Sequence, residues 1–290
     1  MPKKERDILN ITQLLSDGYN ILKENGIESY MIDTQLLLQQ VLNVDKLFIL
    51  TNRNKEISEF DKEVFYNLLE TRRKKRPMKY ILGHSEFMGL DFLVREGVLI
   101  PRPDTEILVE KVIEIVKLQN LKNICDVCCG SGAIGISLAH YLKESQFWAC
   151  DLSETACEVT EENAKRLLPE AKLKIHKSDL LDFAIEKGLS FDLIVSNPPY
   201  IREAVIETLM EDVKNYEPHM ALSGGEDGLV FYRKIIAQSL KVLNPKGFLA
   251  FEIGHDQGRE VREIMEAKGY KNVEVYKDYA GLDRVVIGKI

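Results

Sequence analysis

The chain has 290 residues, of which 45% are hydrophobic and 29% are charged, a balance that excludes an intrinsically disordered segment and a small disulfide-stabilised protein. Its 46 acidic side chains exceed its 39 basic ones and give a net charge of -7, which argues against a surface that coats nucleic acid, although a local basic cleft stays open. At roughly 100–200 residues per domain, the length predicts two domains.

The sequence carries no pattern for a membrane or for secretion. Its apolar runs fall short of the ~20 residues that a membrane-spanning helix needs, and the first 20 residues lack the apolar core of a secretory signal. The five cysteines, between Cys125 and Cys157, are an odd number in a chain of this length, so we expect reduced thiols. The pattern therefore predicts a cytoplasmic protein without membrane association.

Residues 1–77 carry apolar side chains at helical spacing, for example at Ile11 and Leu14. They end in the basic run 72–76, and Pro77 follows that run. We interpret the run as a solvated helix end rather than a nucleic-acid patch. The sequence therefore predicts a small helical N-terminal domain over residues 1–77.

The next segment, residues 78–100, has the pattern of extended chain interrupted by glycines and predicts a short β-hairpin that links two domains. Pro101 and Pro103 then stiffen the approach to an apolar helix, and Asp104 or Thr105 is expected to cap the start of that helix. A second, larger domain is expected to begin after this linker.

Beyond residue 120, short β-rich runs alternate with helical ones, which is typical of an α/β fold whose mostly parallel sheet is covered by helices on both faces. The last two β runs are separated only by a short turn around Gly281, so they are expected to be antiparallel. We expect strands at 123–129, 146–151, 172–179, 191–197, 247–254, 272–279 and 283–290. We expect helices from about 132 and around 154–168, 227–243 and 256–268.

A glycine-rich turn, Gly130 to Gly135, follows the first of these strands, opens a helix and fits the pattern G-x-G-x-x-G. With Asp151 at the end of the next strand, it can bind a dinucleotide or S-adenosylmethionine, because an acidic side chain there accepts hydrogen bonds from ribose hydroxyls. Asp126, which gives D-V-C-C-G-S-G, the antiparallel C-terminal hairpin and the motif Asn-Pro-Pro-Tyr at 197–200 together favour S-adenosylmethionine.

The motif Asn197-Pro198-Pro199-Tyr200 suits the transfer of a methyl group to nitrogen. An amide or exocyclic amine delocalises its lone pair, so a site must hold that nitrogen close to the methyl carbon and in line with it. The Asn197 side-chain oxygen and the Pro198 carbonyl would accept its two N–H groups and stabilise the developing positive charge, while Tyr200 stacks on a planar substrate. The motif indicates an amide or a nucleobase amine as acceptor, and the acidic net charge favours the amide.

No metal ion and no general base are expected in this site. The pair Cys125-x-x-Cys128 has no second pair to complete a zinc or redox site, so buried cysteines acting as small apolar side chains are the simpler interpretation. A base is not required because the methylated nitrogen becomes acidic and loses its proton afterwards. The histidines are scattered without metal-ligand spacing; they are His84, His140, His176, His219 and His255.

The motifs are similar to those of the HemK/PrmC-type protein-(glutamine N5) methyltransferases, and the resemblance runs over nearly the full length. Asn-Pro-Pro-Tyr alone is shared with adenine and guanine N-methyltransferases, whereas VLIPRPDTE and the Gly-Gly-x-Asp-Gly segment are much narrower signals. The resemblance is carried by residues 77–92, VLIPRPDTE at 98–106, the cofactor turn, SNPPYI at 196–201, residues 216–236 with Gly-Gly-x-Asp-Gly at 224–228, and GLDRVVIG at 281–288.

This resemblance implies a Rossmann-like class I methyltransferase domain over residues 101–290, a β-hairpin linker over 78–100 and a helical, substrate-recognising domain over 1–77. It implies S-adenosylmethionine as the cofactor and S-adenosylhomocysteine as its product. The implied acceptor is the glutamine of the Gly-Gly-Gln motif in class I peptide-chain release factors. We expect a monomer with no direct contact to nucleic acid.

The resemblance also implies roles for single residues. The turn would contact the methionine part of the cofactor, Asp151 its ribose, and the Asp179–Leu180 stretch its adenine. The implied cofactor residues are Cys128, Cys129, Gly130, Ser131, Gly132, Asp151, Asp179, Leu180 and Asn197. The implied substrate residues are Asn197, Pro198, Pro199 and Tyr200, of which Asn197, Pro198 and Tyr200 are the catalytic ones.

Two positions depart from the family pattern. Cys128 stands where the family usually has a glycine, so we expect its backbone to avoid positive φ or the local turn to differ. Leu180 stands where some members have an aromatic residue, so its contact with adenine is expected to be dispersive rather than stacked.

Three other functions stay open on the sequence. A DNA adenine or RNA guanine N-methyltransferase shares Asn-Pro-Pro-Tyr, but a duplex-DNA enzyme needs a basic groove and a region that helps to flip the base. A catalytically silent, cofactor-binding protein associated with translation is disfavoured by the intact Asn197 and Tyr200. An NAD-dependent oxidoreductase is supported by the glycine turn alone.

Overall fold

The computed structural model describes residues 9–168 and 173–290. The first eight residues of the predicted helical domain and the first residue of the predicted strand 172–179 lie outside the described residues. None of the helices that the structure describes is long and apolar enough to cross a membrane.

The chain forms two compact units. The first ends at Gly83 and also contains Glu211–Tyr216, and the second consists of residues 84–210 and 217–290. We call them the helical unit and the sheet unit.

The bounds of the elements, in chain order over the described residues, are these. The helices are α1 (Ile11–Glu24), α2 (Tyr30–Leu42), α3 (Lys46–Thr51), α4 (Glu59–Arg73), α5 (Met78–Leu82), α6 (Glu106–Gln119), α7 (Ala133–Tyr141), α8 (Glu154–Leu167), α9 (Asp182–Lys187), α10 (Glu203–Ile206), α11 (Glu211–Tyr216), α12 (His219–Leu222), α13 (Val230–Ser239) and α14 (Gly258–Ala267). The strands are β1 (His84–Phe87), β2 (Leu90–Leu93), β3 (Asn123–Val127), β4 (Gln146–Asp151), β5 (Leu173–Lys177), β6 (Phe191–Ser196), β7 (Leu243–Glu252), β8 (Lys271–Lys277) and β9 (Asp283–Lys289).

The helical unit confirms the predicted small helical N-terminal region. Its core is formed by apolar side chains of α1, α2 and α4, among them Leu14, Leu37 and Phe65. Helix α1 begins at a capping box in which the side chains of Asn10 and Gln13 each accept the other residue's backbone N–H. Two backbone N–H groups at the start of the helix therefore have hydrogen-bond partners within its first turn.

Arg72, in the predicted solvated helix end, is buried instead. Its side chain is 10% exposed, and its Nε lies 2.7 Å from Oδ2 of Asp33 on α2. The cost of removing these charges from water is offset by this short ion pair and by a hydrogen bond from Arg72 to the Arg76 carbonyl. Arg72 therefore ties α4 to α2, whereas Arg73 and Lys74 are exposed as predicted.

The hairpin predicted within residues 78–100 is present but shorter. Strands β1 and β2 pair antiparallel around Met88 and Gly89, both of which have positive φ, as a two-residue hairpin turn requires. Residues 78–82 form helix α5, which ends at Gly83 with φ 81°. The prediction of extended chain was wrong there, because five residues are too few to show a helical period.

The sheet unit contains a seven-stranded sheet in the order β5-β4-β3-β6-β7-β9-β8. The first five strands are parallel, and β9 runs antiparallel to both of its neighbours. This confirms the predicted α/β fold with its antiparallel C-terminal hairpin. Strand β7 begins earlier than predicted, because residues 243–247 continue it through an irregularity in its pairing with β6, and α13 is correspondingly shorter.

Alternate side chains of the strands pack on opposite faces of the sheet. In β3, Ile124 packs in one core with Leu108 of α6 and Ile134 of α7. The next residue, Cys125, packs in a second core with Tyr232 of α13. Helices therefore cover both faces of the sheet, as the unbroken apolar runs in its strands predict.

The carboxyl ends of β3 and β6 lie beside each other in the middle of the sheet. Val127, the last residue of β3, pairs with Ser196, the last residue of β6. The connection that follows β3 leads to β4 on one side, and the connection that follows β6 leads to β7 on the other. Open α/β sheets bind ligands at such a switch point.

Candidate active site

The cofactor turn, which we define as residues 128–132, follows β3 at this edge. Cys128, Gly130 and Gly132 have φ angles of 62°, 57° and 80°. The expectation that Cys128 avoids positive φ was therefore wrong: its backbone takes the left-handed conformation, at the cost that any residue with a Cβ incurs there. The turn keeps the shape that a glycine would permit.

Hydrogen bonds fix the cofactor turn to the elements around it. The Gly130 N–H donates to Oδ2 of Asp151 over 3.0 Å, and the Thr160 hydroxyl of α8 donates to the Gly130 carbonyl over 3.1 Å. A Cβ on Gly132 would lie 2.7 Å from Cδ1 of Ile136, closer than carbon atoms approach. Gly132 is therefore required both by its conformation and by the close packing of α7.

Asp151 ends β4 beside the turn. Its Oδ1 accepts the Ser153 N–H over 2.9 Å, so both carboxylate oxygens have a backbone donor. Burial raises the pKa of Asp151, and the hydrogen bonds from Gly130, Ser153 and Leu152 oppose that rise. The carboxylate, with about four lone pairs on its two oxygens, can still accept a hydroxyl group.

Leu180 forms an apolar wall on the next connection. Its side chain is buried, its φ is 52°, and its carbonyl accepts the Cys150 thiol over 3.1 Å. The preceding residue, Asp179, is exposed. An aliphatic side chain here provides dispersion contacts to a flat ring rather than aromatic stacking.

Asp126 lies behind the cofactor turn, inside β3. It is 1% exposed, and its Oδ2 accepts the Gly135 N–H over 2.8 Å. Burial raises the pKa of Asp126 to about 8, against the Gly135 hydrogen bond and with a smaller contribution from the charge of Asp151. A Cβ on Gly135 would lie 3.0 Å from Oδ2 of Asp126, so the glycine lets α7 approach the strand closely.

The acceptor loop, which we define as residues 197–200, follows β6. The Asn197 Nδ2 donates to Oγ1 of Thr105 over 3.4 Å, and the Tyr200 hydroxyl donates to Oε1 of Glu252 over 3.3 Å. Pro198 and Pro199 between them are buried. Both polar ends of the loop are therefore oriented by side chains from other elements.

Thr105 and Asp104 do not cap helix α6, contrary to the prediction. Thr105 has helical backbone angles after a 3-10 turn at Pro103–Thr105, and its side chain makes no capping hydrogen bond. Its hydroxyl faces Asn197, while Asp104 lies 3.1 Å from the guanidinium of Arg284. The polar groups of this segment thus point to the site and to the last strand.

The Gly-Gly-x-Asp-Gly segment supports the backbone of the acceptor loop. A Cβ on Gly224 would lie 2.7 Å from the Tyr200 Cα, and one on Gly228 would lie 2.5 Å from the Tyr200 carbonyl oxygen. The buried side chain of Gln257 donates to the carbonyls of Tyr200 and Gly228 over 3.0 and 3.2 Å. These glycines are needed because two stretches of backbone meet with no room for a side chain.

One cavity of the sheet unit joins the cofactor turn to the acceptor loop. Gly132, Pro198 and Tyr200 are the predicted site residues that do not line it. Gly132 is the N-cap before α7, Pro198 is buried, and Tyr200 lies at the end of the loop. The predicted residues that line it are Cys128, Cys129, Gly130, Ser131, Asp151, Asp179, Leu180, Asn197 and Pro199.

Sequence reasoning missed several residues of the cavity wall. Val98, Leu99, Pro101 and Arg102 line it from one side, and Phe231 of α13 from another. The signal for the first four was available in the motif VLIPRPDTE, which was noted for its resemblance without a role. Phe231 stands in a helix with no distinguishing pattern.

The cysteines near the turn are free thiols. Burial raises the pKa of the Cys128 and Cys129 thiols, so both stay neutral. Among residues 9–168 and 173–290, no three His, Cys, Asp or Glu side chains are grouped so as to hold a metal ion. The neutral thiols, that of Cys129 buried and that of Cys128 half-buried, act here as small apolar side chains.

Two family models match separate parts of the chain. One, described as the PrmC N-terminal domain, matches residues 13–83, and the other, described as the methyltransferase small domain, matches residues 103–240. The first covers most of the helical unit, and the second covers the cofactor turn and the acceptor loop.

Similar proteins match over nearly their full length. A release factor glutamine methyltransferase of Clostridium botulinum is 54% identical, and the match covers 95% of this chain and 98% of the relative. One of Clostridium acetobutylicum is 50% identical over 96% of this chain and 98% of the relative. The crystal structure of a methyltransferase from Pyrococcus furiosus has a TM-score of 0.50 and 18% identity, over 69% of this chain and 89% of that one, a likeness of fold alone.

Proposed function

The chain belongs to the family of release factor glutamine methyltransferases, and from this premise we propose how its residues carry out the reaction. The enzyme transfers a methyl group from S-adenosylmethionine to the side-chain amide nitrogen of a glutamine in a release factor. The observation that supports the assignment to these residues is that the cofactor turn and Asn197 line one cavity. Relatives that match the full length disfavour the alternatives of a nucleobase methyltransferase or a silent cofactor-binding protein.

The residues around the cofactor turn fit S-adenosylmethionine. Apart from Gly130 and its two chain neighbours, no atom of the described residues lies within 4 Å of the place where a Gly130 Cβ would be, so a ligand can approach bare backbone there. The turn from Cys128 to Gly132 would hold the methionine part, Asp151 the ribose hydroxyls, and Asp179 with Leu180 the adenine. When bound, S-adenosylmethionine supplies an electrophilic methyl group on a sulfonium.

Asn197 and Pro198 hold the glutamine amide in this proposal. The Asn197 Oδ1 and the Pro198 carbonyl accept its two N–H groups, which fixes the nitrogen and favours a geometry with an available lone pair. The same two oxygens stabilise the positive charge that arrives on the nitrogen. The nitrogen then loses a proton to water, and the N5-methylated glutamine leaves.

Tyr200 and Pro199 complete the acceptor side. Burial, and the nearby negative charge of Glu252, raise the pKa of the Tyr200 phenol. The phenol therefore stays neutral, and its O–H donates a hydrogen bond to Glu252. The ring does not line the cavity, so in this proposal its packing on the planar amide group requires the loop to move when the substrate binds. Pro199 lines the cavity and limits the conformations of the loop.

A direct test is mass spectrometry of a class I release factor incubated with the enzyme and S-adenosylmethionine. We expect one added methyl group on the glutamine of its Gly-Gly-Gln motif. A release factor with that glutamine replaced by glutamate serves as the control and should gain none. Methyl groups on a nucleic acid added in the same assay, with none on the release factor, would contradict the proposal.

We further propose that residues 1–77 recognise the release factor, with 78–100 as a linker and 101–290 as the catalytic domain. Deletion of residues 1–77 should raise KM for the release factor by at least tenfold and leave the Kd for S-adenosylmethionine within about twofold. Calorimetric titration measures the Kd. Equal loss of both properties would show that the two parts are not separable.

The enzyme acts, in this proposal, as a cytoplasmic monomer on a protein substrate and not on nucleic acid. Its net charge of -7 supports a protein acceptor over a polyanion, and its substrate works in translation. Sedimentation analysis with and without release factor tests the oligomeric state. A stable dimer of the free enzyme would refute the monomer.

A further inference from the structure

Arg102 places a positive charge in the wall of the cavity that joins the cofactor turn to the acceptor loop. Among the described residues that line this cavity, it is the only one with a cationic side chain, whereas Asp151 and Asp179 bring carboxyl groups. The Arg102 side chain is 37% exposed, so a ligand in the cavity can reach it. A single cation in a ligand site indicates that part of the ligand is an anion.

Glu217 holds the guanidinium of Arg102 from outside the cavity. The Glu217 side chain is 1% exposed, and its Oε1 accepts an N–H from Nη2 of Arg102 over 2.5 Å. A guanidinium has several N–H donors in a fixed plane, so one such hydrogen bond leaves donors for a second anion. Arg102 is therefore fixed in place while it can still bind a ligand.

The cofactor turn offers few donors of its own, because three of its backbone N–H groups already have acceptors in the protein. The Cys129 N–H donates to the Cys150 carbonyl over 3.1 Å, and the Gly132 N–H donates to the Cys129 carbonyl over 2.7 Å. The Gly130 N–H donates to Asp151. An anion bound beside the turn therefore depends on a donor from another segment.

S-adenosylmethionine has one anionic group, which is the carboxylate of its methionine part. Its sulfonium and ammonium groups are cations, and its adenine and ribose are neutral. A carboxylate that leaves water needs hydrogen-bond donors or an opposite charge, and the planar guanidinium of an arginine matches its two oxygens. The carboxylate is therefore the part of the cofactor that suits Arg102.

We propose that Arg102 binds the carboxylate of the methionine part of the cofactor. This inference rests on the proposed function, in which the cavity holds S-adenosylmethionine. The guanidinium then lies between two carboxylates, that of the cofactor and that of Glu217, so its charge is balanced. Arg102 consequently does not oppose the positive charge that arises on the acceptor nitrogen.

Two ligands that differ only in the carboxylate test the proposal without a release factor. One is S-adenosylhomocysteine, and the other is its decarboxylated analogue, which keeps the adenosine, the thioether and the ammonium group. In calorimetric titration of the wild type, the Kd for the analogue should be about ten- to hundredfold higher, the order of one charged hydrogen bond. Equal Kd values would overturn the inference without any substitution.

Substitutions of Arg102 show whether this side chain carries the preference. Arg102→Met removes the charge and keeps the aliphatic bulk, so its Kd for S-adenosylhomocysteine should rise about ten- to hundredfold. Its Kd for the decarboxylated analogue should stay within about threefold, since that ligand has no carboxylate to lose. Arg102→Lys keeps the charge without the planar fork and should lie between the wild type and Arg102→Met.

Arg259→Met is the matched control. Arg259 is an exposed arginine of α14 that also pairs with a glutamate, Glu263, and it does not line the cavity. Its substitution should leave the Kd values for both ligands unchanged.

The outcomes are distinguishable. An equal rise of both Kd values in Arg102→Met would indicate a structural role, and unchanged Kd values with a raised KM for release factor would assign Arg102 to the protein substrate. Either result would overturn the inference. Failure of the wild type to methylate the release factor, with the ligand preference intact, would instead overturn the proposed function alone. Urea unfolding shows whether each variant is folded, and the wild-type ligand comparison decides the matter if Arg102→Met is not.

Discussion

The cofactor turn and the acceptor loop are neighbours at one edge of the sheet, yet they are held in different ways. The backbone shape of the turn lies within residues 128–132, three of which have positive φ. The acceptor loop depends on side chains from remote positions: Gln257 holds its backbone, and Glu252 holds the Tyr200 hydroxyl. The first region carries its backbone shape in its own five residues, although Asp151 and Thr160 fix its position, whereas the second takes its orientation from side chains far away in the chain.

Each region also has one buried carboxyl group, and the two differ in their partners. Asp126, behind the turn, has a backbone N–H as its partner and lies near the negative charge of Asp151, so its proton is retained up to a pH of about 8. Burial also raises the pKa of Glu252, behind the loop, but there the positive charge of Arg284 and the hydrogen bond from Tyr200 oppose the rise. The cofactor side thus places a backbone donor against its buried acid, and the acceptor side places side chains from other elements.

The largest effect on catalysis is expected from a substitution in the acceptor loop that leaves the cofactor turn unchanged. Asn197→Ala removes the oxygen that holds the substrate nitrogen, so kcat should fall about 10²–10³-fold, as for other groups that stabilise developing charge. The Kd for S-adenosylmethionine should stay within about threefold, because the cofactor turn is held independently. Single-turnover methylation of release factor and calorimetry measure the two quantities. Residual turnover near the wild-type rate would show that Asn197 does not hold the amide.

A matched pair of glycine substitutions compares the two regions directly. Gly228→Ala places a Cβ 2.5 Å from the Tyr200 carbonyl oxygen at φ 75°. Gly130→Ala has φ 57°, and its Cβ has no atom of the described residues within 4 Å other than those of its own residue and chain neighbours. We expect Gly228→Ala to lower the free energy of unfolding by about 2–4 kcal/mol, from strained φ plus displaced backbone, and to reduce kcat.

Gly130→Ala should cost only about 1–2 kcal/mol of stability, from the strained φ alone, and should raise the Kd for S-adenosylmethionine. Urea unfolding and calorimetry of both variants provide the comparison. Equal stabilities, or an unchanged cofactor affinity in Gly130→Ala, would erase the distinction between the regions.

The same contrast explains how much of the molecule could be predicted from sequence. The alternation of apolar runs predicted the parallel sheet, and the short turn at Gly281 predicted the antiparallel hairpin, because period and connection length are local properties. Asn197 and Asp151 were found because each follows a strand whose carboxyl end lies at the switch point. The short helices α9, α10 and α12 were missed, since four to six residues carry no period.

Other features depend on contacts that no local pattern contains. Gln257 and Glu252 are an ordinary glutamine and glutamate in the sequence, and only folding brings them to the acceptor loop. Cys128 was expected to avoid positive φ, but the hydrogen bonds and packing of the turn hold it there. Thr105 was taken for a helix cap because the residue type fits, although its hydroxyl faces Asn197.

A smaller effect is expected from a substitution beside the cofactor turn, and it should appear in cofactor affinity. Asp151→Ala removes a charged acceptor for hydroxyl groups and should raise the Kd for S-adenosylmethionine by about ten- to hundredfold, or about 1.5–3 kcal/mol. At saturating cofactor, kcat should stay within about threefold, because the acceptor loop has its own supports. Calorimetry and steady-state assays over a range of cofactor concentrations check this. A fall in kcat that saturation does not restore would mean that the two regions are coupled through Asp151.

A pH-dependent effect is expected from the neutral acid behind the turn. The pKa of Asp126 is about 8 in the folded chain and about 3.9 in an unfolded one, so between these values the folded state holds a proton that the unfolded state has released. The stabilisation that comes from holding this proton is complete below pH 4 and is lost as pH rises through 8. The free energy of unfolding falls by at most about 1.4 kcal/mol per pH unit in that range.

Asp126→Asn cannot ionise and still accepts the Gly135 N–H. The free energy of unfolding of Asp126→Asn minus that of the wild type should therefore grow between pH 5 and pH 8.5, as measured by urea unfolding. Glu186→Gln, at an exposed position, should show no such trend. A flat difference for Asp126→Asn would mean that Asp126 is charged in the folded protein, and the neutral acid behind the cofactor turn would be refuted.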